Sequence, residues 1–331
     1  MISIVVPIYN EEENVVAFHA ALQAALVKET WEAVYVNDGS RDSSLSLLLA
    51  VQQADPRVTV VEFSRNFGHQ PALTAGLQVA KGDAVILMDG DFQDPPEVLP
   101  KLIDAWKKGS KVVIAERTGR SESGLRGKLF PLFYKALGFL SDFPVPLNAG
   151  IFGLLDRQAV DSMNRLQESN RYIPGLRAWI GFPTSVVRYQ RAPRVAGEPK
   201  QTVLKLFRYG LDAIFSFSYK PLRIALVLGC LAFALALGLG LGFAISMLFG
   251  RKLLPSATGY IAMLLSILLV GAVQLICIGL LGEYIGRIYD EVRRRPLYLV
   301  HKVHEAEASL PKVKVPALVG IAATINKRTI A

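Results

Sequence analysis

The chain has 331 residues, with 37 Lys and Arg against 28 Asp and Glu, a net charge of +9 and a 51% hydrophobic share. This composition excludes a disordered chain, and the length fits two units of ordinary domain size. Two cysteines, Cys230 and Cys277, exclude a disulfide framework and a Cys-rich zinc site, while a mean hydropathy of +0.33 directs attention to membrane segments.

Residues 2–6 read as a β-branched strand, too short for a signal peptide and followed at once by Glu11, Glu12 and Glu13. A helical pattern over 11–28 follows, then a strand at 33–37 and a helix at 43–53. The alternation continues with a strand at 58–63, a helix at 69–80, a strand at 84–88, a helix at 96–108 and a strand at 111–115. Strands alternating with helices predict an α/β fold with a doubly wound, mainly parallel sheet. In such sheets ligands bind beyond the carboxyl ends of the strands.

The segments that leave those strands are polar and acidic. They are Pro7-Ile8-Tyr9-Asn10-Glu11, Asn37-Asp38-Gly39-Ser40, Asp89-Gly90-Asp91-Phe92-Gln93-Asp94 and Glu116-Arg117. Asp89 and Asp91 straddle a glycine, and two carboxylates this close call for a cation between them. Mg²⁺ or Mn²⁺ suits oxygen ligands of this kind, with Gln93 as a further amide oxygen. Asp94, ahead of Pro95 and Pro96, is expected to cap the next helix. No Walker A sequence is present, and no G-x-G-x-x-G follows the first strand. Phosphates are therefore expected on the metal and on Arg117, Arg191, Arg194 and Lys200.

Residues 125–140 and 203–217 combine leucines, aromatics and scattered Lys or Arg, as helices lying in the headgroup plane do. Two longer stretches, 224–249 and 253–282, run for 26 and 30 residues without a charge. About 20 apolar residues span a bilayer, so both are expected to cross it as a hairpin around Gly250, Arg251 and Lys252. Residues 1–220 hold 25 basic and 23 acidic residues, and 221–331 hold 12 and 5. The basic excess brackets the spans, at Lys220 and Arg223 before them and at Arg287, Arg293, Arg294 and Arg295 after them. The positive-inside rule then places both termini and the soluble half in the cytoplasm, as a multi-pass protein of the inner (plasma) membrane. It is not a nucleic-acid-binding pattern. Gly238, Gly240 and Gly242 permit close helix packing and so self-association as a homo-oligomer. The tail beyond about residue 301 carries no periodicity and is given no role.

Taken in order, IVVPIYNEEENV (4–15), VNDGSRDSS (36–44), FSRNFGHQPALTAGL (63–77), GDAVILMDGDFQDPPE (82–97), NAGIFGLLDR (148–157), RYIPGLRAWIGF (171–182), RAPRVAGEPK (191–200) and FSFSYKPLR (215–223) resemble glycosyltransferase family 2. The similarity is to the branch that loads sugars onto polyprenyl phosphate, which includes bactoprenol glucosyltransferases and dolichol-phosphate mannose synthases. It covers about residues 1–295. The resemblance implies a GT-A fold at 1–200, a membrane-proximal segment at 201–222, two transmembrane helices at 223–290 and a tail at 291–331. It implies a nucleotide-diphosphate sugar donor, UDP- or GDP-linked, a divalent metal and a polyprenyl phosphate acceptor. FGHQ and DFQDPPE resemble the bacterial branch, which favours UDP-glucose and undecaprenyl phosphate. By the same resemblance Pro7, Tyr9, Glu11, Asp38, Asp89, Gly90 and Arg117 bind the nucleotide sugar. Asp89, Asp91 and Gln93 hold the metal, and Asp89, Asp91 and Arg117 carry catalysis. Arg126, Arg191, Arg194 and Lys200 bind the lipid phosphate or the donor diphosphate.

One departure stands out. Close bacterial relatives typically read NAGDFRLLDR, and this chain has Ile151 for the aspartate and Gly153 for the arginine. A general base at 151 is thereby excluded. A phosphate monoester is largely ionised near neutral pH and can attack without one. Two other readings follow from the residues. A non-catalytic scaffold is motivated by Ile151 and opposed by intact Asp38, Asp89, Asp91 and Gln93. A processive synthase is opposed by the lack of a Gln-x-x-Arg-Trp motif and by only two spans.

Overall fold

The computed structural model describes residues 1–118, 149–166, 168–169, 171–190, 220–249 and 256–305. Arg126, Arg191, Arg194, Lys200, the stretches 125–140 and 203–217 and the turn 250–252 lie outside the described residues.

The first strand, β1 (Ile2–Ile8), lies inside the sheet, and its near-continuous apolar run reflects burial on both faces. Ile4, Val6 and Ile8 enter one apolar cluster and Val5 the other. The strand is followed by α1 (Val15–Ala25), whose Val15, Phe18 and Leu22 form the buried stripe of an amphipathic helix. Next come β2 (Trp31–Asn37), α2 (Ser44–Ala54), β3 (Val58–Phe63), α3 (His69–Val79) and β4 (Ala84–Leu87). A 3₁₀ turn (Pro96–Val98) leads into α4 (Leu99–Lys107) and β5 (Val112–Thr118). The chain continues through β6 (Ala149–Asp156), α5 (Arg157–Arg165), α6 (Ile173–Trp179) and β7 (Thr184–Gln190). Two long helices, α7 (Lys220–Leu248) and α8 (Ser256–Arg293), precede a last strand, β8 (Val300–His304).

The strands form one eight-stranded sheet in the order β7-β5-β6-β4-β1-β2-β3-β8. β1 pairs in parallel with β2 and β4, β2 with β3, and β5 with β7. β6 runs antiparallel between β4 and β5. Helices α1, α2 and α4 cover one face; α3, α5 and α6 cover the other. This is the doubly wound α/β sheet that the alternating pattern predicts, and the GT-A-type architecture that the resemblance implies.

Two features differ from the sequence expectation. Residues 300–304, in a region given no role, form β8, which pairs antiparallel with β3 at the sheet edge. Asp94 does not cap the following helix: the N-cap of the 3₁₀ turn is Pro95, and Asp94 is buried elsewhere. Helices α7 and α8 contain segments long and apolar enough to cross a membrane, and their large side chains, such as Leu226, Phe233 and Leu275, face outward. Both cysteines are free.

Candidate active site

The turns after β1 and β2 interlock at the carboxyl edge of the sheet. Asn10, held at a φ of 54°, donates its backbone N–H to Ser40 Oγ (3.1 Å), and its Oδ1 accepts from Arg41 N (2.9 Å). Glu11 N donates to Ser44 Oγ (2.9 Å), and Glu12 Oε2 accepts from Ser43 N (2.8 Å). Gly39 has a φ of +63°, and a Cβ there lies 2.4 Å from the Arg65 carbonyl carbon. Only glycine lets the turn after β2 meet the turn after β3 at that distance.

Asp38 joins these turns. Its side chain is buried and accepts from Phe67 N (2.7 Å) and Gly68 N (2.9 Å). Burial raises its carboxyl above the usual range, against the two amide hydrogen bonds, which lower it. The loop 66–68 is thus fastened to the end of β2.

Beneath that loop is a cavity of about 270 Å³. Pro7, Tyr9, Glu11, Asp38, Asp89, Gly90 and Asp91 line it, so the structure gathers these seven predicted residues in one place. Asn66, Gly68 and His69 also line it, and the sequence reading assigned them no role. His69 Nε2 lies 2.8 Å from Asp89 Oδ1. Desolvation opposes the charged imidazole, but Asp89, by hydrogen bond and charge, with Asp38 and Asp91, outweighs it and raises the His69 pKa. The motif FGHQ held this signal, but a histidine's partner 20 residues away is not readable from spacing.

The acidic turn is itself constrained. Asp91 Oδ1 accepts from Gln93 N (3.1 Å), and Phe92 between them has a φ of 58°. A bulky residue in the left-handed region is unusual, and here the Phe92 ring rests edge-on against Phe18 with centroids 5.4 Å apart. The Gln93 residue is buried. The donor set at Asp89 and Asp91 consists of hard oxygens, as Mg²⁺ or Mn²⁺ requires. Among the described residues no group of three or more His, Cys, Asp and Glu side chains forms a complete cation site. Such a set fits an ion that shares its coordination with substrate phosphates.

Arg117 does not line the cavity. It leaves β5 half-buried, with Nε donating to Tyr189 Oη (3.1 Å) and Nη2 3.6 Å from Asp94 Oδ1. Tyr189 Oη donates to the same Asp94 oxygen (2.6 Å). Burial lowers the guanidinium pKa, but Tyr189, Asp94 and Asp89 together hold it above its ordinary value.

Residues 3–163 match the model of glycosyl transferase family 2, and residues 220–288 match that of the GtrB C-terminal hairpin. The uncharacterized glycosyltransferase YkcC of Bacillus subtilis is 40% identical over 92% of this chain and 94% of its own. The SfII prophage-derived bactoprenol glucosyl transferase of Shigella flexneri is 42% identical over 92% of this chain and 98% of its own. The prophage bactoprenol glucosyl transferase homolog of Escherichia coli K12 is 40% identical over 91% and 99%.

The chain belongs to glycosyltransferase family 2.

Within this family-2 chain, the departure at 151 and 153 has a structural counterpart. Ile151 packs against the apolar cluster on the α3, α5 and α6 face. A Cβ at Gly153 lies 2.4 Å from the Val113 carbonyl oxygen and 3.1 Å from Arg177 Nη1. The buried Arg177 donates to the carbonyls of Gly150 (3.0 Å) and Ile151 (3.4 Å). Its Nε has no hydrogen-bond partner among the described residues, and burial lowers its pKa to about 10. A guanidinium therefore stands beside position 153, supplied by α6 rather than by the strand.

Proposed function

We propose that the chain transfers one glucosyl group from UDP-glucose to undecaprenyl phosphate at the cytoplasmic face of the plasma membrane. The observation that carries this reading is the combination in one chain of two features. One is a cavity lined by Asp38, Asp89 and Asp91 at the carboxyl edge of an α/β sheet; the other is a pair of helices of bilayer-spanning length. The names of the relatives support glucose and a bactoprenol acceptor. Lys220, Arg223, Arg287 and Arg293 to Arg295 support cytoplasmic termini.

In this reading Pro7, Tyr9, Glu11 and Asp38 receive the nucleoside, with Asp38 acting mainly by holding the loop 66–68. Asp89 and Asp91, with Gln93, hold Mg²⁺ or Mn²⁺. When bound, that ion supplies positive charge to the donor diphosphate. Arg117 adds a second positive group beside it, and Arg126, Arg191, Arg194 and Lys200 bind lipid phosphate or donor diphosphate. An oxygen of the undecaprenyl phosphate bonds to the anomeric carbon. The bond from that carbon to the diphosphate oxygen breaks, and UDP leaves with the electron pair. Attack opposite the leaving group inverts the anomeric centre. The acceptor oxygen is already anionic, so Ile151 in place of a carboxylate withholds nothing that this step needs. Alignment of the two substrates and neutralisation of the leaving charge provide the acceleration.

The test uses full-length protein in detergent with undecaprenyl phosphate and a panel of labelled sugar nucleotides. It is run with Mg²⁺ or Mn²⁺, with EDTA, and with Asp91→Ala. A labelled lipid formed from UDP-glucose, and lost with EDTA and with Asp91→Ala, is expected. Nucleotide binding without transfer from any donor would support instead the non-catalytic scaffold that Ile151 motivates.

A further inference from the structure

Arg117 is held by Tyr189 and Asp94, to neither of which the sequence assigns this role. Tyr189, on the edge strand β7, reaches across to β5, and its hydroxyl accepts from Arg117 Nε (3.1 Å) while donating to Asp94 Oδ1 (2.6 Å). Asp94 is 1% exposed and sits 3.6 Å from Arg117 Nη2. A buried carboxylate that near a guanidinium attracts it strongly, since little water screens the pair. The tyrosine hydroxyl stands between the two and bonds both. Its own position is fixed: the Tyr189 ring meets Phe152 edge-on with centroids 5.4 Å apart, and Tyr189 O accepts from Thr118 Oγ1 (2.9 Å). On the other side the guanidinium lies against Gly150, where a Cβ comes within 3.0 Å of Nη2. Among the described residues Nη1 makes no hydrogen bond.

We infer that Tyr189 and Asp94 are positioning residues that hold Arg117 beside the acidic turn, with Nη1 left to receive an anionic oxygen of the leaving diphosphate. This rests on the reading that Arg117 contacts that diphosphate. Tyr189 fixes the guanidinium through Nε and keeps it from collapsing onto Asp94. Without the hydroxyl, the guanidinium loses its Nε anchor and shifts toward the Asp94 carboxylate, away from the donor.

The test is a double-mutant cycle on the full-length protein, with kcat and both KM values measured for transfer and melting temperature as the folding control. Arg117→Ala is expected to lower kcat by about 100-fold or more. Tyr189→Phe keeps the ring on Phe152 and is expected to lower kcat by about 10-fold, with the acceptor KM unchanged. In the Arg117→Ala background, Tyr189→Phe is expected to change kcat by less than about twofold, because the residue it positions is gone. Arg117→Lys keeps the charge but has no Nε donor. It is expected to reproduce the loss of Tyr189→Phe and to be insensitive to it, which tests the bracket even where Tyr189→Phe folds poorly. A further 10-fold loss from Tyr189→Phe in the Arg117→Ala background overturns the positioning role and leaves that of Arg117 intact. Full activity of Arg117→Ala overturns the assignment of Arg117 itself, and the bracket with it.

Discussion

The ring of Tyr298 stacks on that of Phe63, with centroids 4.8 Å and planes 12° apart, and so fastens the chain leaving the second long helix to the strand that supports the cavity. The Phe63 ring in turn meets Phe67 edge-on at 5.7 Å, and Phe67 N is the donor to Asp38 Oδ1. The return segment is tied at further points. Glu291 accepts from Ser169 N (2.8 Å), Leu299 O accepts from Ser64 N (3.0 Å), and His304 lies 3.0 Å from Glu62. A continuous set of packed groups thus runs from the end of α8 to the loop over the cavity.

Removing the stack should loosen that loop. Tyr298→Ala is expected to cost about 2 kcal/mol of stability, from lost aromatic contact and burial, and to raise the donor KM. Tyr298→Phe keeps the stack, loses only the hydroxyl bond to Gln78 and is expected to leave the donor KM near that of the parent. Melting temperature and donor KM on the three proteins decide it. Equal donor KM values in all three would separate the return strand from the cavity.

Acid should weaken the fold through a buried cluster that does not line the cavity. His19 is buried with Nδ1 3.1 Å from Tyr35 Oη and Nε2 3.2 Å from Asp55 Oδ2. Burial lowers the His19 pKa below its ordinary value, against the raising effect of Asp55. Hydrogen bonds from Arg57 hold the Asp55 carboxyl well below the usual carboxylate range, against the opposing effect of burial. For both groups the unfolded chain binds the proton first as pH falls, so stability rises with pH across each window. The expected loss begins below the ordinary histidine value of about 6.5 as His19 charges in the unfolded chain, and deepens below about 3.9 through Asp55. His19→Gln should remove the first phase and spare the second in melting temperatures measured from pH 7 to pH 3. An unchanged first phase would show that another group carries it.

The sequence makes the five strands β1 to β5 legible because their β-branched runs are buried on both faces and bounded by polar turns. The later strands lack that signal. β6 carries two glycines, β7 lies at the sheet edge with alternating exposure, and the β8 sequence VHKVH is largely polar and exposed. β8 also finds its partner in β3, more than 200 residues earlier, and no local pattern reports so distant a pairing. The same cause explains Asp94. Its position before two prolines suggests a cap, yet Tyr189, 95 residues on, returns to claim its carboxylate. The seven predicted cavity residues were legible because they sit at the end of a strand or in the turn that leaves it. His69 and Tyr189 were not, since their roles depend on partners that only the folded sheet brings near.

His69 should govern how firmly Asp89 serves a metal. Its Nε2 lies against one Asp89 oxygen, and its own residue opens α3, so the contact fixes the carboxylate relative to the loop. His69→Phe keeps a ring but removes the polar contact. A group that orients a ligand in this way typically contributes about 10–100-fold to metal affinity. The expected outcome is a half-saturating Mn²⁺ or Mg²⁺ concentration raised by about 10-fold or more, with residual activity recovered at high metal. Loss of activity that no metal concentration restores would instead place His69 on the substrate.

Restoring a carboxylate at 151 should not accelerate the reaction. Ile151 packs on an apolar face, and Arg177 already donates to its carbonyl and to that of Gly150. Ile151→Asp puts a carboxylate among those apolar groups, where the nearby Arg177 guanidinium is its natural partner. A positioned general base contributes about 10²–10⁴-fold where a proton must be removed. An acceptor phosphate that is already ionised has no such proton to lose at neutral pH. The kcat of Ile151→Asp is therefore expected to stay within about threefold of the parent, well short of a general-base contribution, and a pH profile from 5.5 to 8.5 should follow ionisation of the acceptor phosphate in both proteins. A gain of about 100-fold, with a new dependence on a group that titrates in the carboxylate range, would show that the parent enzyme is limited by the missing base.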